Sequence, residues 1–175
     1  MPLFVESITG KDGTGGGSPI TFSGDSVTLG SGTSLGSDIA FPAGHILQVV
    51  NNSTTSDITL GTSYTSLISK EITGVLASSQ ILIIGAGGGD GYTTSTINID
   101  VKITRGASSS DTTVRECDNY VNLEGDSHWR PIPLSMSGLD TSPTTGSITY
   151  TIWGKKSGGS AFFRSPEIII FEIAG

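Results

Sequence analysis

An all-β fold is predicted for this chain, and three observations predict it. Only 14% of the 175 residues are charged, against a usual level of about 25%, and the strong helix formers Lys, Glu and Gln are scarce. Residues 96–104 alternate apolar and polar without a break, Ile97, Ile99, Val101 and Ile103 against Thr96, Asn98, Asp100, Lys102 and Thr104, a period of two that belongs to a half-buried strand. Gly, Ser, Asn and Asp clusters punctuate the rest at short intervals, as turns do between strands.

The chain changes character near Phe41. Residues 1–40 hold few large apolar side chains, separated by glycine clusters such as Gly15-Gly16-Gly17, too little to build a core of their own. Within them Pro19-Ile20-Thr21-Phe22 and Ser26-Val27-Thr28-Leu29 alternate around Ser23-Gly24-Asp25, a hairpin signal. An isolated hairpin is marginal in water, so it needs partners, from further copies of the chain or a surface on which it docks. The alternative is a disordered leader.

Residues 41–175 read as a succession of strands. Residues 46–51 are apolar and β-branched, 67–75 mix apolar with polar positions, and 81–84 are apolar on both faces, ahead of the alternating 97–103. Residues 129–136 carry Pro131 and Pro133, which lack ladder donors and so favour an edge. In 147–153, Ile148, Tyr150 and Ile152 share one side. Residues 167–173 close the chain as an apolar strand entered through Pro166, with a central place in a sheet expected. The stretches 107–113 and 120–127 read as polar loops. No tandem repeat of fixed period appears, which disfavours a solenoid. The expected architecture is an antiparallel β-sandwich of jelly-roll type over 41–175, preceded by a Gly/Ser/Thr-rich extended arm over 1–40.

Charge and cysteine usage narrow the function classes. A formal net charge of −7 with scattered basic residues argues against nucleic acid as a partner, since phosphate binding needs clustered Lys and Arg. Cys117 is the only cysteine, which excludes an intrachain disulfide and any multi-cysteine zinc site, and its neighbours do not activate it as a nucleophile. The apolar runs are far shorter than the ~18 residues of a membrane span. The first residues lack a basic start and a sustained apolar stretch, so synthesis in a cytoplasm is expected. No cofactor is expected.

Several segments resemble chemistry and fail on detail. Ile81-Leu82-Ile83-Ile84-Gly85-Ala86-Gly87-Gly88-Gly89-Asp90 looks like a dinucleotide fingerprint, but Asp90 stands where the third glycine belongs and the following residues are strand-like, so a wide hairpin turn is expected. A calcium-binding glycine-aspartate repeat fails because Ala86 breaks it and one copy is no array. The two histidines, His45 and His128, sit in no nucleophile motif. Asn51-Asn52-Ser53-Thr54 contains two glycosylation sequons of a kind polar loops generate by chance. The richest polar cluster is Asp126, His128, Trp129 and Arg130, following Glu124. It has two readings: a sugar stacked on Trp129 with its hydroxyls bonded by Asp126, His128 and Arg130, or a subunit interface anchored by Trp129. Glycoside hydrolysis would need two paired carboxylates, which the scattered loop acids do not announce.

Three stretches carry a resemblance: Phe41-Pro42-Ala43-Gly44-His45-Ile46-Leu47-Gln48-Val49-Val50, Ser165-Pro166-Glu167-Ile168-Ile169-Ile170-Phe171-Glu172-Ile173-Ala174, and the Gly/Thr/Ser-rich residues 20–29. Together they resemble fibre-type structural proteins of marine tailed bacteriophages. The resemblance covers both ends of the β-domain and, loosely, the leader; the middle, including 107–136, matches by spacing and composition only. It implies a homotrimeric virion protein, its leader attached to capsid or tail proteins and its β-sandwich exposed as a knob; since no catalytic motif is present, no enzymatic activity is expected. With about 40 residues ahead of the β-domain there is no room for a long shaft, so a short capsid fibre, spike or decoration protein fits better than a full tail fibre. Leu3, Phe4, Val5, Ile8, Ile20 and Phe22 are the expected anchoring residues, and a host surface glycan is an expected partner if the knob serves attachment. The rival of another class is a lectin-like carbohydrate-binding module built around Trp129; an enzyme ranks last.

Overall fold

The structure, a computed structural model, describes residues 20–23, 26–29, 43–125 and 127–175. By its internal contacts the chain divides into two units, Met1–Ala40 and Phe41–Gly175. In the first, β1 (Ile20–Ser23) and β2 (Ser26–Leu29) pair antiparallel, Ile20 opposite Leu29 and Phe22 opposite Val27, as the alternation predicts. Leu3, Phe4, Val5 and Ile8 lie outside the described residues.

The second unit contains β3 (Ile46–Ser53), β4 (Ile58–Thr59), β5 (Thr65–Val75), β6 (Gln80–Tyr92), β7 (Ile97–Arg105), β8 (Thr112–Leu123), β9 (Trp129–Asp140), β10 (Gly146–Lys156) and β11 (Ser160–Ile173). One sheet has the order β5-β10-β7-β8, the other β3-β11-β6-β9, with β4 also paired to β11. All pairings are antiparallel. Leaving aside the short β4, the chain passes from one sheet to the other at every connection except β7 to β8, which generates the double Greek key of a jelly roll. The sandwich predicted for this unit is therefore the one observed.

Alternation decides which side chains meet between the sheets. Ile97, Ile99, Val101 and Ile103 are buried from β7, Ile148, Tyr150 and Ile152 from β10, Ile81 and Ile83 from β6, Ile168 and Ile170 from β11, and Ile132, Leu134 and Met136 from β9. Each fully buried aliphatic side chain of this size contributes about 1.5–3 kcal/mol relative to exposure. Pro131 and Pro133 sit on β9, which pairs only with β6, the edge place their missing donors require. β11 lies centrally between β3 and β6. Its Pro166 is not an entry residue: β11 begins at Ser160, and Ser165-Pro166 form a bulge between Arg164 and Glu167, with Ser165 at φ 45°.

Four further expectations are corrected. The glycine run 85–90 is not a turn: β6 continues through it to Tyr92, and the turn falls at residues 93–96. Its core-facing glycines make room, because a Cβ at Gly85 would overlap Ile152 Cδ1, one at Gly91 would overlap Leu123 Cδ1, and one at Gly89 would overlap the Phe162 carbonyl oxygen. Of the stretches read as polar loops, 107–111 is the loop expected, whereas β8 takes 112–113 and then runs on into the first half of 120–127, as far as Leu123. The wet face of β7 is also partly covered: Lys102 is 8% exposed and Thr104 is fully buried, the latter accepting a 2.8 Å hydrogen bond from the Trp153 indole. Leu82 and Ile84, expected to be buried on a two-sided core strand, are only half-buried on the outer face.

Candidate functional site

The two sheets present unlike outer faces. On the β5-β10-β7-β8 sheet the outer face is a polar lattice. The Tyr64 hydroxyl donates to Glu116 at 2.7 Å, the ammonium groups of Lys102 and Lys155 lie 4.0 and 4.5 Å from the Tyr64 ring centroid, and Lys155 pairs with Asp100 at 3.2 Å. Burial first, and then the hydrogen bond to Glu116, push the Tyr64 phenol well above its usual range.

On the β3-β11-β6-β9 sheet the outer face is apolar at one end. The register aligns Val49, Phe171, Leu82 and Leu139 in one row across all four strands, with Ile169 and Ile84 in the next row and Ile173 opposite Ile46 at the margin. Among the described residues the exposed large apolar side chains are Ile46, Val49, Leu76, Trp129 and Leu139. Three of them stand in this patch, and Leu76 lies in the turn beside it, its amide bonded to Glu172 at 2.9 Å.

Trp129 occupies the other end of the same face, ten residues further along β6 and so roughly 30 Å away. The register sets Trp129 opposite Tyr92 and Phe162 opposite Asp90. The Trp129 ring packs against Tyr92 at 5.5 Å and edge-on to Phe162 at 5.7 Å, yet remains 55% exposed. The Arg164 guanidinium lies 4.8 Å from the Phe162 ring centroid, paired with Asp90 at 3.0 Å and Asp57 at 3.8 Å.

Of the predicted cluster, Asp126 lies outside the described residues. His128 immediately precedes β9, and Trp129 and Arg130 open it. Alternation turns Arg130 to the opposite side of β9 from Trp129, where it lines a cleft of about 420 Å³ with Pro131 and residues Val121, Asn122, Leu123 and Glu124 of the β8 end. Sequence reasoning singled out Trp129 but missed Tyr92, Phe162 and Arg164, which come from positions 33 or more residues away and meet it only through the strand register. Ile20 and Phe22 lie on β1. Among the described residues no three His, Cys, Asp or Glu side chains gather as a metal-ion set, and no helix is long and apolar enough to cross a membrane.

No protein-family model and no curated protein matches the chain. It is similar in structure to viral particle proteins. One is the structure of the infectious bursal disease virus Gx strain, at 14% identity over 87% of this chain and 36% of that one, with a TM-score of 0.46. A second is the T13 particle of the same virus, at 18% identity over 82% of this chain and 36% of that one, with a TM-score of 0.45. A third is its VP2 subviral particle, at 19% identity over 73% and 33%, with a TM-score of 0.41. The chain spans about a third of the length of these neighbours.

Proposed function

We propose that this chain is a virion structural protein, a short homotrimeric fibre or decoration subunit without catalytic activity. In this reading residues 1–40 attach it to capsid or tail proteins of a phage particle and the jelly roll stands outward, with host attachment as its use. The fold is compatible, since jelly rolls serve in viral capsids as well as in lectins, but a fold alone does not carry a function. The observation that carries the reading is the apolar row Val49, Phe171, Leu82 and Leu139 on an outer sheet face.

Such a face is an association surface. Val49 and Leu139 are about half exposed, so covering each releases on the order of 1 kcal/mol, half the value of full burial. Contiguous apolar surface of this kind marks protein contacts rather than a solvated face. The occupant proposed is a second copy of the chain. The weakly charged, Gly/Ser/Thr-rich composition suits that, because strands meet across subunits without burying many ions. The number three comes from the resemblance to fibre proteins.

The test is the solution mass of the full chain by light scattering, alongside Val49→Glu and Leu139→Glu. A mass three times that of one chain, with both variants dissociating at protein concentrations at least tenfold higher than the native chain, is the expected result. A native chain that is monomeric at every concentration sinks self-association, and a trimer indifferent to both charges removes this face from it.

A further inference from the structure

We propose that the Tyr92–Trp129–Phe162 platform with its rim of Arg164, Asp90 and Asp57 is a carbohydrate-binding site that takes a neutral pyranose residue. The platform lies at the opposite end of the sheet face from the association surface, so sugar binding here is independent of the structural role above.

A pyranose ring offers two chemistries at once, an apolar C–H face and a perimeter of hydroxyls. The platform answers both. The exposed indole of Trp129 supplies a flat apolar surface, and the tilted Tyr92 and edge-on Phe162 rings fix its orientation, so that little side-chain freedom is lost on binding. At the rim, Arg164 and Asp57 are each 57% exposed while Asp90 is 27% exposed. The pairing of Arg164 with both carboxylates sets guanidinium donors and carboxylate acceptors in fixed positions, and each carboxylate has lone pairs beyond those the ion pair uses.

The sheet surface beside the rim is open, one row further along β6 from Tyr92 than Asp90. Gly88 lies opposite Arg164 on β11 and Pro133 on β9, and a Cβ added to it would meet nothing within 4 Å. The composition of the patch selects its ligand. Two carboxylates around one guanidinium disfavour phosphates and other anions, as does the net charge of −7. Protein interfaces deplete charged residues at their centres, whereas here the ion-paired triad stands directly beside the rings.

The experiment titrates the full chain with methyl glycosides of glucose, galactose, mannose and N-acetylglucosamine, read by tryptophan fluorescence. The same chain is applied to an array of printed bacterial surface polysaccharides. Trp129 is exposed and Trp153 is 8% exposed, so a ligand-induced change reports on Trp129. We expect saturable binding of at least one sugar, weakened tenfold or more by Trp129→Ala and by Gly88→Val, which places a branched side chain opposite Arg164 at the open edge of the platform. Arg164→Ala weakens binding without altering the fluorescence of the free protein's Trp153. If no sugar or polysaccharide binds, or binding survives both Trp129→Ala and Gly88→Val, the proposal is overturned. It is equally overturned if these variants change the oligomeric mass and leave sugar binding absent throughout, which would make the platform a contact between copies.

Discussion

The Glu172 carboxylate accepts a 2.6 Å hydrogen bond from the side-chain amide of Gln48, joining the central strand β11 to the edge strand β3 on the inner side of their sheet. Glu172 is 2% exposed and is satisfied three times over, since its other oxygen accepts from the Ser79 hydroxyl at 2.6 Å and the Leu76 amide at 2.9 Å. A single carboxylate thus closes the end of the sandwich at which the apolar outer patch lies, tying the β5–β6 turn to β11.

Removing that carboxylate strands its donors. Glu172→Ala is expected to lower unfolding stability by about 2–3 kcal/mol, the range for losing hydrogen bonds to a charged group and leaving buried partners unmet. Glu172→Gln retains an acceptor oxygen and costs less. Urea denaturation of the two variants checks the order, and equal losses would show that the charge rather than the acceptor geometry matters.

The glycines of β6 differ in what a methyl group would meet, and this sets a graded series. Gly88→Ala is expected to be neutral, because open space surrounds the new carbon. Gly85→Ala presses on the movable end of Ile152, and overpacking of this kind costs about 1–3 kcal/mol. Gly89→Ala meets the Phe162 carbonyl oxygen, which is backbone of the paired strand, and is expected to cost the most. Thermal unfolding midpoints of the three variants test the ranking; a Gly89→Ala midpoint equal to that of Gly88→Ala would contradict it.

That series also explains what the sequence left illegible. The jelly roll was readable where one face is apolar and the other polar, as in Ile97 to Ile103 or Ile148 to Ile152, and where proline marks an edge, as in β9. β6 misled because glycine signals a turn by local chemistry, whereas here its small size serves side chains arriving from Leu123, Ile152 and the backbone at Phe162, all more than thirty residues away in the chain. β8 was hidden for the opposite reason. It is an edge strand whose Arg115, Glu116, Asp118 and Asn119 are exposed, and a register shift between Ile99 and Val101 of its partner, with Asn119 at φ 52°, breaks the period of two. Of the carbohydrate platform, Trp129 stood out as an aromatic in a polar setting; its partners are products of register, which no local pattern encodes.

Alkaline pH is expected to weaken the fold through Tyr150. Its hydroxyl is buried and donates to Asp140 at 2.9 Å. Burial first, and then the Asp140 hydrogen bond, raise the phenol well above its ordinary range, with Arg105 opposing them. The unfolded chain releases this proton near pH 10, while the folded chain keeps it, so the folded state binds more protons above that pH and loses stability as pH rises. The contribution is whole below about pH 10 and fades above it, at up to ~1.4 kcal/mol per pH unit for one proton. Urea midpoints between pH 8 and 11 are expected to fall more steeply for the native chain than for Tyr150→Phe; parallel slopes would remove Tyr150 as the source.

β8 and β9, the edge strands of opposite sheets, run side by side at a seam. The Tyr120 hydroxyl donates to the Ser135 carbonyl at 3.0 Å and accepts from the Ser135 amide at 2.7 Å. One phenol thereby satisfies both backbone groups of a β9 residue on the strand's unpaired side, where they would otherwise offer a template to another chain. Tyr120→Phe keeps the ring and loses both bonds, so stability is expected to fall by about 1–2 kcal/mol. The sharper signature is local: the Ser135 amide should exchange with solvent at least tenfold faster, while amides of the central strand β11 slow or quicken only with global stability. Exchange at Ser135 that tracks β11 in the variant would show that packing, and not this hydroxyl, holds the seam closed.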